Sequence, residues 1–334
     1  MDLLETLLSS VVVHDADTAT SIYDDMASQS GEGLPIVYRP FDAARAGDWH
    51  DRGQVLDFLR STDAERRDAL DFGPGDGWPC LPLAPFLRSV RGVDASSARV
   101  RCCEANASRL GIRNAGFARV GAGQPLPFAD ASFDAAFAAS SVEQCPDPMF
   151  ALRELSRVLK PGGRLRLYYE SLRRYRGGKE REIWLMSRAD GGSKLNLYDR
   201  VIARELVRNY AIDFPWPLET LVERLVADGE CPAYSSVDPN AFAEALGFAS
   251  AARVATTSHP SGPSWLAMLR DAGFSEARGT ESGGTAAIRC YRQLGSSATG
   301  LTLAEVDRLL DPLVRGAVRS ELAPDSDPMI IAIR

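Results

Sequence analysis

The stretch Leu70-Asp71-Phe72-Gly73-Pro74-Gly75-Asp76-Gly77 constrains this chain more than any other. A short apolar lead runs into three glycines at alternate positions, and Asp71 stands two residues before the first of them. A strand that ends in such a turn can bring its backbone close to a ligand, because no Cβ stands in the way. The segments around it repeat a pattern. Residues 89–94, 117–120, 133–138 and 164–169 read as short strands. Residues 54–59 carry apolar side chains at helical spacing, SSARVRCCEANASRLG closes on Gly111, and PMFALRELSRVLKPGG places Phe150, Leu152, Leu155, Val158 and Leu159 on one helical face before Pro161-Gly162-Gly163 ends it. Strands and helices alternating at this spacing predict an α/β fold, doubly wound, with a mostly parallel sheet covered on both faces. Ligands of such sheets bind where strand ends meet helix starts.

The glycine spacing narrows the ligand. A dinucleotide site calls for G-x-G-x-x-G, with a helix N-terminus facing a pyrophosphate. Here the spacing is G-x-G-x-G, and a carboxylate aimed into the pocket would repel a pyrophosphate. It suits a ligand that carries an ammonium and a sulfonium instead.

At this point the sequence resembles the class I S-adenosylmethionine-dependent methyltransferases. Residues 70–77 look like their first motif, and Val93-Asp94 like the second-strand acid that grips both ribose hydroxyls. Gln124-Pro125-Leu126-Pro127-Phe128 with Ser132-Phe133-Asp134 resembles the segment around their fourth strand, and residues 154–163 their "E…R-V-L-K-P-G-G" helix and turn. The resemblance implies a seven-stranded Rossmann-like sheet and S-adenosyl-L-methionine as cofactor, held by Asp71, Gly73, Gly75, Gly77, Asp94, Gly123, Gln124 and Ser140. It departs at Gly121-Ala122-Gly123-Gln124, where many relatives carry an acid for the adenine amino group. Tyr23-Asp24-Asp25-Met26-Ala27 is similar to the segment that closes over the cofactor, which makes Tyr23 a substrate-binding candidate.

Composition limits the partners. A net charge of −7 argues against a broad nucleic-acid footprint. Asp2 and Glu5, with no Lys or Arg in the first 15 residues, are the wrong charge for a signal or transit peptide, and no apolar run reaches membrane-spanning length. The six cysteines (80, 102, 103, 145, 231 and 290) form no CxxC pair or Cys/His ligand spacing, so no metal is expected and reduced thiols in a cytoplasmic protein are. A small-molecule substrate is expected, without nucleic acid or membrane as partner, and a homodimer is left open.

Residues 171–263 are far longer than a βα connection requires. Val201, Ile202, Leu206 and Tyr210 recur at near-four spacing, as do Leu218, Leu221, Val222 and Leu225, and Asp238-Pro239 opens another helical pattern. They predict a helical cap inserted after the fifth strand, with Tyr210 and Trp216 as candidate substrate contacts and a basic cluster at Arg173, Arg174, Arg176, Lys179 and Arg181. The expected organisation is thus an N-terminal helical segment over the cofactor site (1–68), a cofactor-binding core (69–170), the cap (171–263), and a C-terminal part of the core (264–334) with an extra helix over residues 301–320. A phenol or amine acceptor would need a base. His50 on the N-terminal segment is one candidate, and Glu143 and Tyr169 near strand ends are others. Two further functions stay open beside methyl transfer to oxygen, nitrogen or carbon: a non-methyl reaction on the same cofactor-binding fold, and a non-catalytic partner protein. A dehydrogenase is disfavoured by the glycine spacing.

Overall fold

The computed structural model describes residues 2–18, 40–323 and 325–334. From the N-terminus, α1 (Leu3–Ser10) and the short β1 (His14–Asp15) precede α2 (Ala46–Thr62), β2 (Asp68–Phe72) and α3 (Cys80–Leu83). There follow β3 (Ser89–Asp94), α4 (Ser97–Arg109), β4 (Ala115–Arg119), β5 (Phe133–Ala139), α5 (Pro148–Val158) and β6 (Leu159–Tyr168). The insertion holds β7 (Arg181–Ser187), β8 (Ser193–Val201), β9 (Leu206–Phe214), α6 (Leu218–Arg224), α7 (Pro239–Leu246) and β10 (Ala251–Ser258). The chain then adds α8 (Gly262–Asp271), β11 (Glu276–Gly279), α9 (Gly283–Leu294), α10 (Leu303–Arg319) and β12 (Met329–Ile333). Two compact units result: residues 1–28 with 172–259, and residues 29–171 with 260–334.

The larger unit is built on a seven-stranded sheet in the order β11-β12-β6-β5-β2-β3-β4. β4, β3, β2, β5 and β6 run parallel, and β12 is antiparallel to both its neighbours. The expected doubly wound, mostly parallel sheet is therefore present. Apolar side chains of α5 and α8 cover one face, with Leu152, Leu155, Trp265 and Leu269 against Leu70, Ala136 and Leu165. α2 and α3 cover the other through Val55, Phe58, Leu81 and Leu83, extended by α9 and α10 through Ala287, Val306 and Leu310. α2 and α9 pack backbone to backbone: a Cβ on Gly53 would fall 2.3 Å from the Gly283 carbonyl oxygen. Register aligns the strand ends. Phe72 pairs with Val93 on one side and Ala138 on the other, and Ala139 pairs with Tyr168. The turns that leave β2, β3, β5 and β6 therefore emerge along one rim.

The insertion corrects an expectation: it is a five-stranded sheet with two helices, not a helical cap. The order is β1-β10-β9-β8-β7, antiparallel except for β1 along β10. Val201 and Tyr210 lie in strands on either side of the 3₁₀ turn Ile202–Arg204, so their near-four spacing straddles a bend. The governing pattern has a period of two: Ile183 and Leu185, Leu195 and Leu197, and Tyr210, Ile212 and Phe214 all face one core. Two of the three expected helices of the insertion form, α6 and α7, the latter with Asp238 as its N-cap. A second correction concerns the N-terminal segment. α1 puts Leu3, Leu4 and Leu7 into the insertion's core, and β1 extends its sheet, while α2 belongs to the larger unit.

Candidate cofactor site

β2 delivers Asp71 and Phe72 to the rim, where the backbone turns through three left-handed glycines, with φ of 74° at Gly73, 57° at Gly75 and 112° at Gly77. Only glycine adopts such values without strain. Gly73 is also hemmed in. Its amide donates to the Val93 carbonyl at 2.8 Å, and a Cβ there would lie 2.4 Å from that of Ser141. Ser141 reaches across from the end of β5 to donate its hydroxyl to the Phe72 carbonyl. From the other side α4 grips the turn: Arg99 pairs with Asp76, Asn106 Nδ2 donates to the Asp76 carbonyl at 2.9 Å, and Cys103 Sγ lies 3.1 Å from the Gly75 carbonyl. These supports were not legible in the sequence, since each joins residues 20 or more positions apart.

Two carboxylates flank the turn. Asp71 is fully buried; its Oδ2 accepts the Cys80 amide at 3.0 Å, and its Oδ1 has no hydrogen-bond partner among the described residues. Burial pushes its pKa up to about 8. Asp94 ends β3, accepting the Gly75 amide at 3.2 Å on Oδ2 and the Ser96 amide at 2.9 Å on Oδ1.

The neighbouring turns complete the rim. Gly123, with φ of 75°, and Gln124 form an exposed turn beyond β4, closed by the Gln124 amide on the Gly121 carbonyl at 3.0 Å. The segment after it is fastened by the helix motif. Glu154 accepts the Leu126 amide at 2.7 Å, while Arg157 donates to the carbonyls of Leu126 and Phe128. That explains in physical terms why an acid and an arginine at this spacing accompany the "LPF" stretch. Ser140 follows β5 with φ of 51°, its amide on the Tyr168 carbonyl at 2.8 Å.

The catalytic and substrate candidates fall in different places. Glu143, just past Ser141, is buried; Oε1 accepts the Glu170 amide at 2.9 Å and Oε2 has no hydrogen-bond partner among the described residues. Burial, and after it the charge of Glu170, push it up to about 8. Tyr169 lies in the core, tilted against Trp265 at 6.1 Å, and its hydroxyl donates to Asp325 Oδ1 and accepts the Asp325 amide, both at 3.1 Å. Burial pushes that phenol further up. His50 sits on α2 with Nδ1 3.2 Å from Asp51 and its ring against Gly284 at the start of α9. Tyr23 lies outside the described residues. Tyr210 and Trp216 are built into the smaller unit: Tyr210 is in its core, and Trp216 stacks on Phe214 at 5.6 Å under the Arg224 guanidinium.

A buried ion pair was missed altogether. Arg166 in the middle of β6 makes a two-pronged contact with Asp57 of α2 at 2.6 and 2.7 Å, both side chains without solvent exposure, and Asp57 also takes the Gly283 amide at 2.6 Å. It joins strand, helix and the start of α9.

Comparison with known proteins places this arrangement. The "Methyltransferase domain" family matches residues 70–167, which span β2 to β6. YrhH of Bacillus subtilis, provisionally named a methyltransferase, is 33% identical over 128 residues that make up 37% of this chain and 67% of YrhH. The chain belongs to the class I S-adenosylmethionine-dependent methyltransferases. Similarity extends to the uncharacterised methyltransferase YcgJ of Bacillus subtilis, 36% identical over 31% of this chain and 40% of YcgJ. It extends also to the 27-O-demethylrifamycin SV methyltransferase of Amycolatopsis mediterranei, 33% identical over 29% of this chain and 36% of that enzyme. The chain thus spans about two fifths of the length of these two relatives. The cofactor of the family is S-adenosyl-L-methionine. The insertion, residues 172–259, lies wholly outside the family match. Among the described residues no helix is long and apolar enough to cross a membrane.

Proposed function

We propose that the chain transfers the methyl group of S-adenosyl-L-methionine to a small-molecule acceptor. One observation carries the reading: a buried carboxylate oxygen without a hydrogen-bond partner, on Asp71, stands directly before a turn of three left-handed glycines, with a second carboxylate, Asp94, at the end of the adjacent strand. An orphaned buried carboxylate calls for a cationic partner, and the cofactor's amino-acid end supplies an ammonium. The residues present fit the group. Asp71 and the turn of Gly73, Gly75 and Gly77 would hold the methionine part. Asp94 would accept the two ribose hydroxyls, and the exposed backbone of Gly123 and Gln124 would meet the adenine edge. The strained Ser140 would line the pocket from β5.

When bound, the cofactor supplies an electrophilic methyl on a positively charged sulfur. The protein's part is to fix positions, and a methyl transfer depends chiefly on alignment. For an acceptor that must lose a proton, Glu143 is the base this geometry favours. It combines a free oxygen with a pKa near 8, matched to neutral solution. Tyr169 is engaged on both sides of its hydroxyl, and His50 stands against α9. Small acceptors are supported by the relatives, two of which are named for demethylrifamycin and demethylmenaquinone, and by the acidic net charge.

The test is calorimetric titration with S-adenosylmethionine, S-adenosylhomocysteine and NAD on wild type and Asp94→Ala. Binding of the adenosyl ligands alone, weakened about 100-fold or more in the variant from the loss of two charge-assisted hydrogen bonds, supports the reading. Absence of adenosyl binding sinks it. Formation of S-adenosylhomocysteine with a panel of phenols, amines and activated carbons then separates methyl transfer from a non-methyl reaction.

A further inference from the structure

The Glu143 carboxyl takes one hydrogen bond from another residue among the described residues, the Glu170 amide on Oε1 at 2.9 Å. What holds that amide in place lies on both sides of it. The Tyr169 hydroxyl donates to Asp325 Oδ1 at 3.1 Å, and the Ser171 hydroxyl donates to the same oxygen at 3.3 Å. The Asp325 amide donates back to the Tyr169 hydroxyl at 3.1 Å. Asp325 Oδ1 also accepts the amide of Gly262, the first residue of α8, at 2.9 Å. Ser171 is the last residue before the insertion, and Gly262 lies three residues after its end. One carboxylate oxygen thus gathers donors from the end of β6 and the start of α8.

Asp325 does this from a strained backbone. Its φ is 70°, in the left-handed region that residues other than glycine rarely adopt. Such strain persists only where the surrounding contacts over-determine it, and it gathers at functional sites. Tyr169 and Ser171 are themselves buried, where phenylalanine and alanine would serve if packing alone were needed. We propose that Asp325 is a positioning residue: by pinning Tyr169 and Ser171 it fixes the Glu170 amide between them, and so orients the Glu143 carboxyl. A reacting group displaced by about 1 Å can lose roughly 100-fold in rate, so a base needs a shell of contacts that holds it. The inference rests on the reading of Glu143 as the acceptor's base, but its test needs no acceptor.

The whole chain is labelled with ¹³C at the glutamate carboxyls, and the Glu143 signal, assigned by its absence in Glu143→Gln, is followed against pH. The charge that faces Glu143 is the Glu170 carboxylate, with the Cys145 thiol also in its field, and burial outweighs that charge in raising its pKa. Asp325→Gly keeps the left-handed turn without strain and removes the carboxylate. It should free the Glu170 segment, admit water, and lower the Glu143 midpoint by about one pH unit or more. Asp325→Asn keeps an acceptor oxygen and tolerates the turn, so its midpoint should match wild type. Tyr169→Phe/Ser171→Ala removes two of the donors and should lower the midpoint in the same direction. A midpoint that does not fall in Asp325→Gly, or in the double variant should the glycine variant not fold, overturns the proposal. An equal fall in Asp325→Asn would trace the effect to charge and overturn it too. Titration of wild type with S-adenosylhomocysteine reads the cofactor assignment separately, since failure to bind sinks that reading and leaves the Glu143 midpoints standing.

Discussion

The two sheets of this chain deploy their polar side chains in opposite ways. In the seven-stranded sheet the strand interiors are apolar and the polar groups gather at one rim: Asp71 and Asp94 at the ends of their strands, Ser140, Ser141 and Glu143 just past another. In the five-stranded sheet one face is apolar, and the other carries buried polar side chains, among them Lys194, Asn196, Asn209 and Asp213, interspersed with apolar ones. The first arrangement turns a sheet into a rack for turns, and a turn is contiguous in sequence. The second spreads its polar groups singly over several strands, so no contiguous motif announces it.

Arg166, a fully buried charge within a strand of the first sheet, offers the strongest way to break the comparison. If strand interiors there are apolar by necessity, a charge among them survives only through its partner. Asp57→Ala should therefore destabilise the protein by about 3–5 kcal/mol, the cost of leaving a buried charge unpaired, seen as a lower urea midpoint. A loss under about 1 kcal/mol would show that the interior accommodates charge and that the contrast between the sheets is superficial. Replacing both partners, as in Asp57→Leu/Arg166→Met, should restore most of the stability.

How much was legible follows from the same contrast. Glycine turn, strand-end acids and the Glu154–Arg157 helix motif all lie within short windows, and each sits in the structure where its window suggested. The insertion departs from the helical expectation where the spacing of Val201, Ile202, Leu206 and Tyr210 straddles a bend between two strands. A better signal was available in Arg188-Ala189-Asp190-Gly191-Gly192, where an Asp-Gly step between alternating segments marks a hairpin. Gly191 indeed takes φ of 86° there. The Asp57–Arg166 pair spans 109 positions, and no local pattern encodes a contact of that range.

The rim can be tested next. Gly73→Ala forces a side chain into φ of 74° and against Ser141, for an expected loss of about 2–3 kcal/mol. Gly75→Ala meets nothing within 4 Å and carries only the backbone strain, so it should cost about 1 kcal/mol. Equal losses from the two would mean that Ser141 moves freely and that the β2–β5 contact is not a fixed part of the site.

Proton linkage sharpens the picture further. Asp71 and Glu143 titrate near 8 in the folded chain and near 4 when exposed. The folded state therefore binds more protons between these limits. Stability is present below about pH 4 and is lost as pH rises toward 8, by up to about 1.4 kcal/mol per pH unit for each group. Asp71→Asn and Glu143→Gln should each flatten the profile measured by denaturant titration. Affinity for S-adenosylhomocysteine should run the other way, because its ammonium favours ionised Asp71: it tightens up to roughly tenfold per unit as pH approaches 8. Asp71→Asn should abolish that trend and Glu143→Gln should leave it. A trend that follows Glu143 instead would reverse the roles assigned to the two acids.

The smallest expected effect lies in the smaller unit and asks whether α1 is truly part of it. Asp238 caps α7 by accepting the amides of Asn240 at 2.8 Å and Ala241 at 3.0 Å. Asp238→Ala should cost about 1 kcal/mol. Fraying of α7 loosens Phe242 and Leu246, which share a core with Leu3 and Leu7 of α1. Hydrogen exchange should therefore accelerate in α1 and α7 together, 236 positions apart in the chain, while amides of α2 keep their wild-type rates. Acceleration confined to α7 would mean that α1 gains its stability elsewhere, and the N-terminal residues would no longer count as a covering element of the five-stranded sheet.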